Sequence, residues 1–486
     1  MTLRSGLRAP AVLPAGSSVS AGLLGLWGAA VTVGGFTAAT KVAAVLKDSV
    51  VASRFGNGGE LDAFLLALAV PAFLVNVIAG TLPAALTPSF VVLREREGPM
   101  AARMLAVAVL QRMYRVLVLL SVAAALLSLC YIWLPGAQMS DSTRALLRWL
   151  ALLLAPYTLL QGVCAVWSGL LAAEGRFAVA AVAPVAQPLC ITALLLCSDT
   201  PHVSVLAVGL LLGTLVQGAA LAVALRRRGM FPWPRFSAVA EQAGTRDAMR
   251  TVRGQYLPAM AGALLMSATT IVDQSMAVWL PPGSVAALNF GTKLSALLMS
   301  VGAVALSTTL LPYLSQLVAR EEWEALRRVT KRVTVIILGI TIPLTLLLIA
   351  LSTPIVRVMY ERGAFAANET SLVAQVQSAY LLQVPVHLLG ILYVRLISAL
   401  SVNRLLTISA AVSLLVNIAL NVLFMRWFGV AGIALSTAGV YLVSCVFLGG
   451  TAHRALSRAE ATTRQRRADH GQTRALTGDE PCASAA

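Results

Sequence analysis

The chain reads as an all-α integral membrane protein of about twelve transmembrane helices in two six-helix halves. Three observations predict this. Of its 486 residues 58% are hydrophobic and 12% charged, about half the charge of an ordinary soluble protein. The charged and Pro/Gly-rich positions cut the apolar sequence into pieces long enough to span a bilayer as helices. Stretches of the first half then recur, in order, in the second.

The pieces are 21–53, 62–93, 105–134, 144–172, 178–197, 203–225, 254–280, 284–318, 329–352, 371–400, 407–425 and 430–450. Residues 1–20 precede them as an N-terminal tail and 226–253 form a basic connector around FPWPRF. Residues 451–486, ending ATTRQRRADHGQTRALTGDEPCASAA, are too hydrophilic to span and are expected to be disordered. The apolar start of the chain is too long for a signal peptide and is expected to be retained.

Basic residues in short loops orient such a chain. With the N-terminus in the cytoplasm, the inner segments hold Arg94, Arg96, Arg103, Arg176, Arg226 to Arg228, Arg235, Arg246, Arg250, Arg253, Arg320 to Arg332 and the tail. Arg54, Arg357, Arg362 and Arg426 face the other side. Both termini are therefore expected inside. The connector's basic charge suits a topology signal touching anionic membrane lipids better than a specific ligand site.

TLPAALTPSFVVLRERE after the second span matches STTLLPYLSQLVAREE after the eighth, with Pro88 opposite Pro312. The fourth span matches the tenth, with Arg176 opposite Arg404. Two halves of six spans in one orientation imply a pseudo-axis along the membrane normal and a substrate site between the halves near the midplane.

Polar residues inside spans show what such a site would hold. Lys41, Lys47 and Asp48 lie well inside the first span and Lys293 inside the eighth. A lysine at a helix centre costs about 2.5–3.5 kcal/mol to insert, so it persists where it snorkels, pairs, or faces a wet interior. Adjacent residues point about 100° apart, so Lys47 is not expected to cancel Asp48, and Lys41 shares the face of Asp48 about 10 Å away along the axis. Cations recurring in both halves would make the crevice positive and attract a phosphate or diphosphate. Apart from this crevice, Asp273, the i, i+4 pair Asn417 and Asn421, and Thr437 form an oxygen set suited to a small cation or a proton-coupled site. It is suited equally to helix-to-helix hydrogen bonding, the commoner use of Asn and Thr in membranes.

Several function classes are excluded. Cys130, Cys164, Cys190, Cys197 and Cys445 lie in or beside apolar spans with no CxxC spacing, so neither a disulfide framework nor a thiolate metal site is expected. The net charge of +17 falls in short loops, which argues topology and not nucleic acid. No catalytic constellation or phosphate loop appears, so an enzyme is not expected, nor a cofactor beyond Na+ or H+ as coupling ion.

DSVVASRFGNGGELDAFLLALAVP, VDQSMAVWLPPGSVAALNFGTKL, MYERGAFAANET and GVAGIALST, collinear between Lys41 and Gly450, resemble the MviN/MurJ family of lipid II flippases in the multidrug/oligosaccharidyl-lipid/polysaccharide exporter superfamily. The resemblance implies two six-helix lobes around a central cavity in the bacterial cytoplasmic membrane. It implies alternating access that carries a polyprenyl-diphosphate-linked saccharide from the inner to the outer leaflet. The family's basic residues of span one are matched by Lys41 and Lys47, its following aspartate by Asp48, its span-two aspartate by Asp62 and its span-eight cation by Lys293. Members with a sodium site place it among spans seven, eleven and twelve, which falls on Asp273, Asn417, Asn421 and Thr437. Departures point to a divergent member. Val75 and Asn76, then Ile78 to Thr81, stand where the family usually has an arginine pair followed by AEGA, which leaves Asn76 as the polar residue there. The two spans it commonly adds after the twelfth have no counterpart before residue 486. The nearest alternatives are an exopolysaccharide or capsule repeat-unit flippase, a cation-coupled drug exporter, for which acidic cavity residues would be expected, and a transport-dead scaffold.

The orientation is testable by cysteine labelling in intact cells. A cysteine placed between Glu361 and Glu369 is expected to react with an impermeant thiol reagent, and one between Arg226 and Arg253 is not. The reverse pattern would overturn both the topology and the repeat.

Overall fold

In a computed structural model the structure describes residues 18–130, 139–199, 202–227, 243–400, 402 and 404–477, and the core of the basic connector lies outside these. The first half holds α1 (Ser18–Phe55), α2 (Gly59–Leu74), α3 (Leu82–Glu97), α4 (Pro99–Leu129), α5 (Asp141–Leu153), α6 (Ala155–Ala173), α7 (Phe177–Val182), α8 (Ala186–Cys197) and α9 (Ser204–Arg226). The second holds α10 (Ala243–Ala277), α11 (Ser284–Ala319), α12 (Trp323–Ala350), α13 (Ser352–Tyr360), α14 (Ala367–Leu381), α15 (Gln383–Ala399) and α16 (Arg404–Thr477). The described residues form no strand.

Ten of these helical segments are long and apolar enough to cross a membrane. One of them, Leu405–Gln465, has 61 residues, far beyond the ~20 a crossing needs, and bends at Gly429 (φ 55°, ψ −130°). With its two limbs counted apart, and α1 added, all twelve expected segments are helical. Breaks inside spans have local causes. Pro71 has no N–H to give the ladder, and α2 gives way one turn later to a π-helical turn, Val75–Ala79, before α3 resumes the span.

The two ends of the bundle are packed differently. Where α1 turns into α2, the hairpin end, one apolar cluster runs through both halves, from Val51, Leu61 and Phe64 to Ala287, Phe290 and Tyr360. At the connector end the cores are separate. Leu86, Phe90, Leu105 and Leu110 fill the first half, while Leu314, Leu326, Leu392 and Leu396 fill the second. The halves are thus joined at one end of the membrane and distinct at the other. Helix α10 bridges them, since Val252 and Tyr256 near its start pack into the first-half core and the Tyr256 hydroxyl donates to the Ile78 carbonyl at 2.8 Å.

Two expectations need correction. The described part of the polar tail is helical, for α16 continues beyond the last span to Thr477. Ala452 and Leu456, one turn apart, are buried against the start of α12, and Glu460 accepts from Arg327 at 2.8 Å and from Arg464, i+4, at 2.6 Å. The arginine asymmetry is also smaller than the loops suggest. Arg144 and Arg148 lie in the first turns of α5, at the hairpin end.

Candidate functional site

Two of the three intramembrane lysines meet at one aspartate. On α1, Asp48 is buried, and its carboxylate holds Lys47 Nζ at 2.6 Å through one oxygen and Lys293 Nζ of α11 at 3.2 Å through the other. The pair with Lys47 corrects the expectation from helical geometry. A lysine's four-carbon stem can swing its ammonium round the helix to a neighbour that its Cβ does not face. The pair with Lys293 crosses from one half to the other. Two cations on one anion leave a surplus positive charge in a membrane interior.

Lys41 lies two turns nearer the connector end on the same face as Asp48, exposed and outside the ion-paired cluster. Lys41 thus stands about 10 Å along α1 from the cluster that holds Lys47 and Lys293. Beside the cluster is a cavity of about 30 Å³ lined by Lys47, Asp48, Asn289 and Phe290, room for little more than a water. A larger one, about 300 Å³, lies between α2, α4 and α10 among Val70, Phe73, Leu74, Leu127 and Ile271. It carries no charge and cannot be where an anion is held.

Asp62 and Asn76 are not brought to the lysines. The Asp62 carboxylate accepts from the backbone N–H groups of Gly283 at 2.6 Å and Ala286 at 2.7 Å, so it is spent on the N-terminus of α11, which its charge also favours. Asn76 is exposed on the π-helical turn, about 25 Å along the span from Gly59.

The second polar set does converge. Asp273 is buried, and one of its oxygens accepts from Asn417 Nδ2 at 3.0 Å and Asn421 Nδ2 at 2.7 Å while the other accepts from Thr437 at 3.2 Å. Ser436 donates to the Asn421 side-chain oxygen and closes the network. It pins α10 to both limbs of α16.

The family profile described as "Lipid II flippase MurJ" matches residues 51–467. The chain belongs to the lipid II flippase MurJ family. A "Probable lipid II flippase MurJ" of Rhizobium tropici is 26% identical over 444 residues, 87% of this chain and 80% of that protein. A "Lipid II flippase MurJ" of Burkholderia cenocepacia is 24% identical over 385 residues, 77% and 73% of the two chains. Among solved structures, a lipid II flippase MurJ in an inward closed conformation aligns at a TM-score of 0.71 with 21% identity, covering 89% of this chain and 90% of that one. An inward-facing multidrug resistance MATE family transporter aligns at 0.62 with 14% identity, covering 87% and 96%. At these identities the structures show the shared helical fold alone.

The resemblance to MurJ proteins carries a sodium site onto Asp273, Asn417, Asn421 and Thr437, and this arrangement does not fit one. A hard cation is held by oxygens, whereas here two amide N–H groups and a hydroxyl point at the carboxylate.

Sequence reasoning missed Ser436 in this network and Tyr360 near Asp48. Tyr360 packs against Phe290 with ring centroids 4.9 Å apart and the planes tilted by 44°, and its buried hydroxyl has no hydrogen-bond partner among the described residues. The first was concealed by choosing Thr437, its neighbour. The second sits in a loop motif, MYERGAF, that the sequence places outside the spans.

Removal of the Asp273 carboxylate takes the acceptor from the two buried amides of Asn417 and Asn421, at about 1–3 kcal/mol each, while the Thr437 hydroxyl still reaches the Ile433 carbonyl at 3.1 Å. Asp273→Ala is therefore expected to lower the melting temperature of the purified protein, and Asp273→Asn to do so less. A thermal shift assay with equal melting for parent and Asp273→Ala would show that the network adds no stability.

Proposed function

We propose that this protein is a flippase that moves a polyprenyl-diphosphate-linked saccharide of the peptidoglycan-precursor class across a bacterial cytoplasmic membrane by alternating access. The observation that carries this is the Lys47–Asp48–Lys293 cluster between the halves. A neutral drug gains nothing from surplus cations in a desolvated crevice, and a cationic one is repelled. A diphosphate offers negative charge and charge-assisted hydrogen bonds in place of lost water.

The mechanism follows from what Asp48 does without cargo. Its carboxylate neutralises two ammonium groups that would otherwise be unpaired in the membrane, and in doing so it ties α1 to α11. A diphosphate entering along the Lys41 side competes for the same ammonium groups. When it takes Lys293 it loosens a cross-half tie, so that binding is coupled to movement of the halves. The separate cores at the connector end support loading from that end, and the arginine distribution supports its being the cytoplasmic one, with both termini inside. Release then requires the shared core at the hairpin end to part. The family's flippase character supports transport and not chemistry on the cargo.

Flipping of a fluorescent lipid-linked saccharide in reconstituted vesicles tests this. Lys293→Ala is expected to lower flipping by tenfold or more, since a hydrogen bond to a charged group is worth about 1.5–3 kcal/mol. Lys293→Arg should keep more activity than Lys293→Ala, because charge is conserved. If alanine variants of Lys41, Lys47 and Lys293 all flip like the parent at equal protein level, the lysines are structural and the proposal fails.

A further inference from the structure

At the hairpin end three loops from the two halves interlock through their backbones. The Ala364 N–H donates to the Ser53 carbonyl at 2.8 Å, and the Ser49 hydroxyl to the Met359 carbonyl at 2.6 Å. The approach is close enough to require glycine at two positions. A Cβ on Gly363 (φ 61°) would lie 2.2 Å from the Ser53 carbonyl oxygen, and one on Gly283 (φ 93°) 2.2 Å from that of Asn57.

Glu369 stands at the centre of this contact. It is the third residue of α14, where a glutamate ordinarily turns back to satisfy the first N–H of its own helix. One of its oxygens does so, accepting from the Ala366 N–H at 3.0 Å. The other is carried across the boundary and accepts from the Asn57 N–H, at the tip of the α1–α2 turn, at 3.1 Å. The helix start fixes the carboxylate, and the carboxylate fixes the tip of the other half.

We propose that Glu369 is the positioning residue of a latch that holds the outer gate shut, and so sets the balance between inward-open and outward-open states without touching cargo. The proposal rests on the alternating-access reading. Asp48 and Lys293 lie on α1 and α11 below the same loops, so a tip released from Glu369 frees both ends of the cross-half tie. Acceptance from backbone N–H groups lets the latch break and remake without depending on which side chains occupy the tip.

The test uses the full-length protein with its native cysteines changed to serine and Asn289→Cys, beside Lys47, as reporter, in vesicles that still flip lipid. Labelling by an impermeant thiol reagent is measured from each side. Glu369→Ala is expected to raise outside labelling on the order of tenfold, the loss of one hydrogen bond to a charged group, and to lower inside labelling in step. Unchanged outside labelling at equal protein level overturns the latch. A rise from both sides also overturns it, because general loosening and not a shift in population would then explain the rise. Where Glu369→Ala does not accumulate, Glu369→Gln, which keeps the volume and one acceptor oxygen, is judged by the same outcomes with a smaller effect. The underlying reading fails separately. If the reporter in the parent cannot be reached from the inside, alternating access is wrong whatever Glu369 does.

Discussion

A charge inside a bilayer has to be answered by another charge, and in this protein Asp48 answers two. Lys47 and Lys293 would each be costly alone, and the single carboxylate between them makes both tolerable while leaving one positive charge over. That arrangement constrains the rest of the fold. Helix α1 must approach α11 closely enough for a 3.2 Å ion pair, which requires the halves to pack at the hairpin end, where the shared apolar cluster is found. The same economy appears at Asp62, whose charge is spent on the two backbone N–H groups that open α11.

The uneven packing of the two ends turns this electrostatic tie into a mechanical one. One continuous core at the hairpin end resists separation over its whole area, whereas two independent cores at the connector end let each half move as a unit. Helix α10 is the exception that links them, resting its first turns on the first half and bound through Asp273 to both limbs of α16. A hydrogen-bonded pin of that kind ties α10 directly to both limbs of α16. It does so because its donors are amides and hydroxyls, already aimed at the carboxylate.

Most of the fold was legible because hydropathy and helix length are local properties. All twelve spans could be cut from the chain with no knowledge of how they pack, and the i, i+4 spacing of Asn417 and Asn421 placed both on one face towards Asp273. What was not legible depends on approach between distant segments. Nothing local to Glu369 says that its second oxygen meets Asn57, 312 positions away. Nor does the hydrophilicity of the tail show that Ala452 and Leu456 would find the start of α12 and keep the helix going. Asp62 depends on approach in the same way: the resemblance gives it a place in the span-two pattern, and only the turn of Gly283 beside it shows that its carboxylate accepts from the backbone of α11.

The choice of lysine over arginine fits this division of labour. An arginine fork holds a carboxylate or phosphate in one planar geometry, and exchanging one partner for another would require the helix carrying it to move. A lysine presents a point charge on a flexible stem, as the contact between Lys47 and its own neighbour Asp48 demonstrates. The same ammonium can therefore leave Asp48 for an incoming anion with little backbone displacement. The backbone is then free to respond to the lost tie between α1 and α11 and not to the shape of the headgroup. In the proposed mechanism, selectivity by charge and motion by release of Asp48 are consequently separable, the first residing in the cations and the second in the carboxylate that joins them.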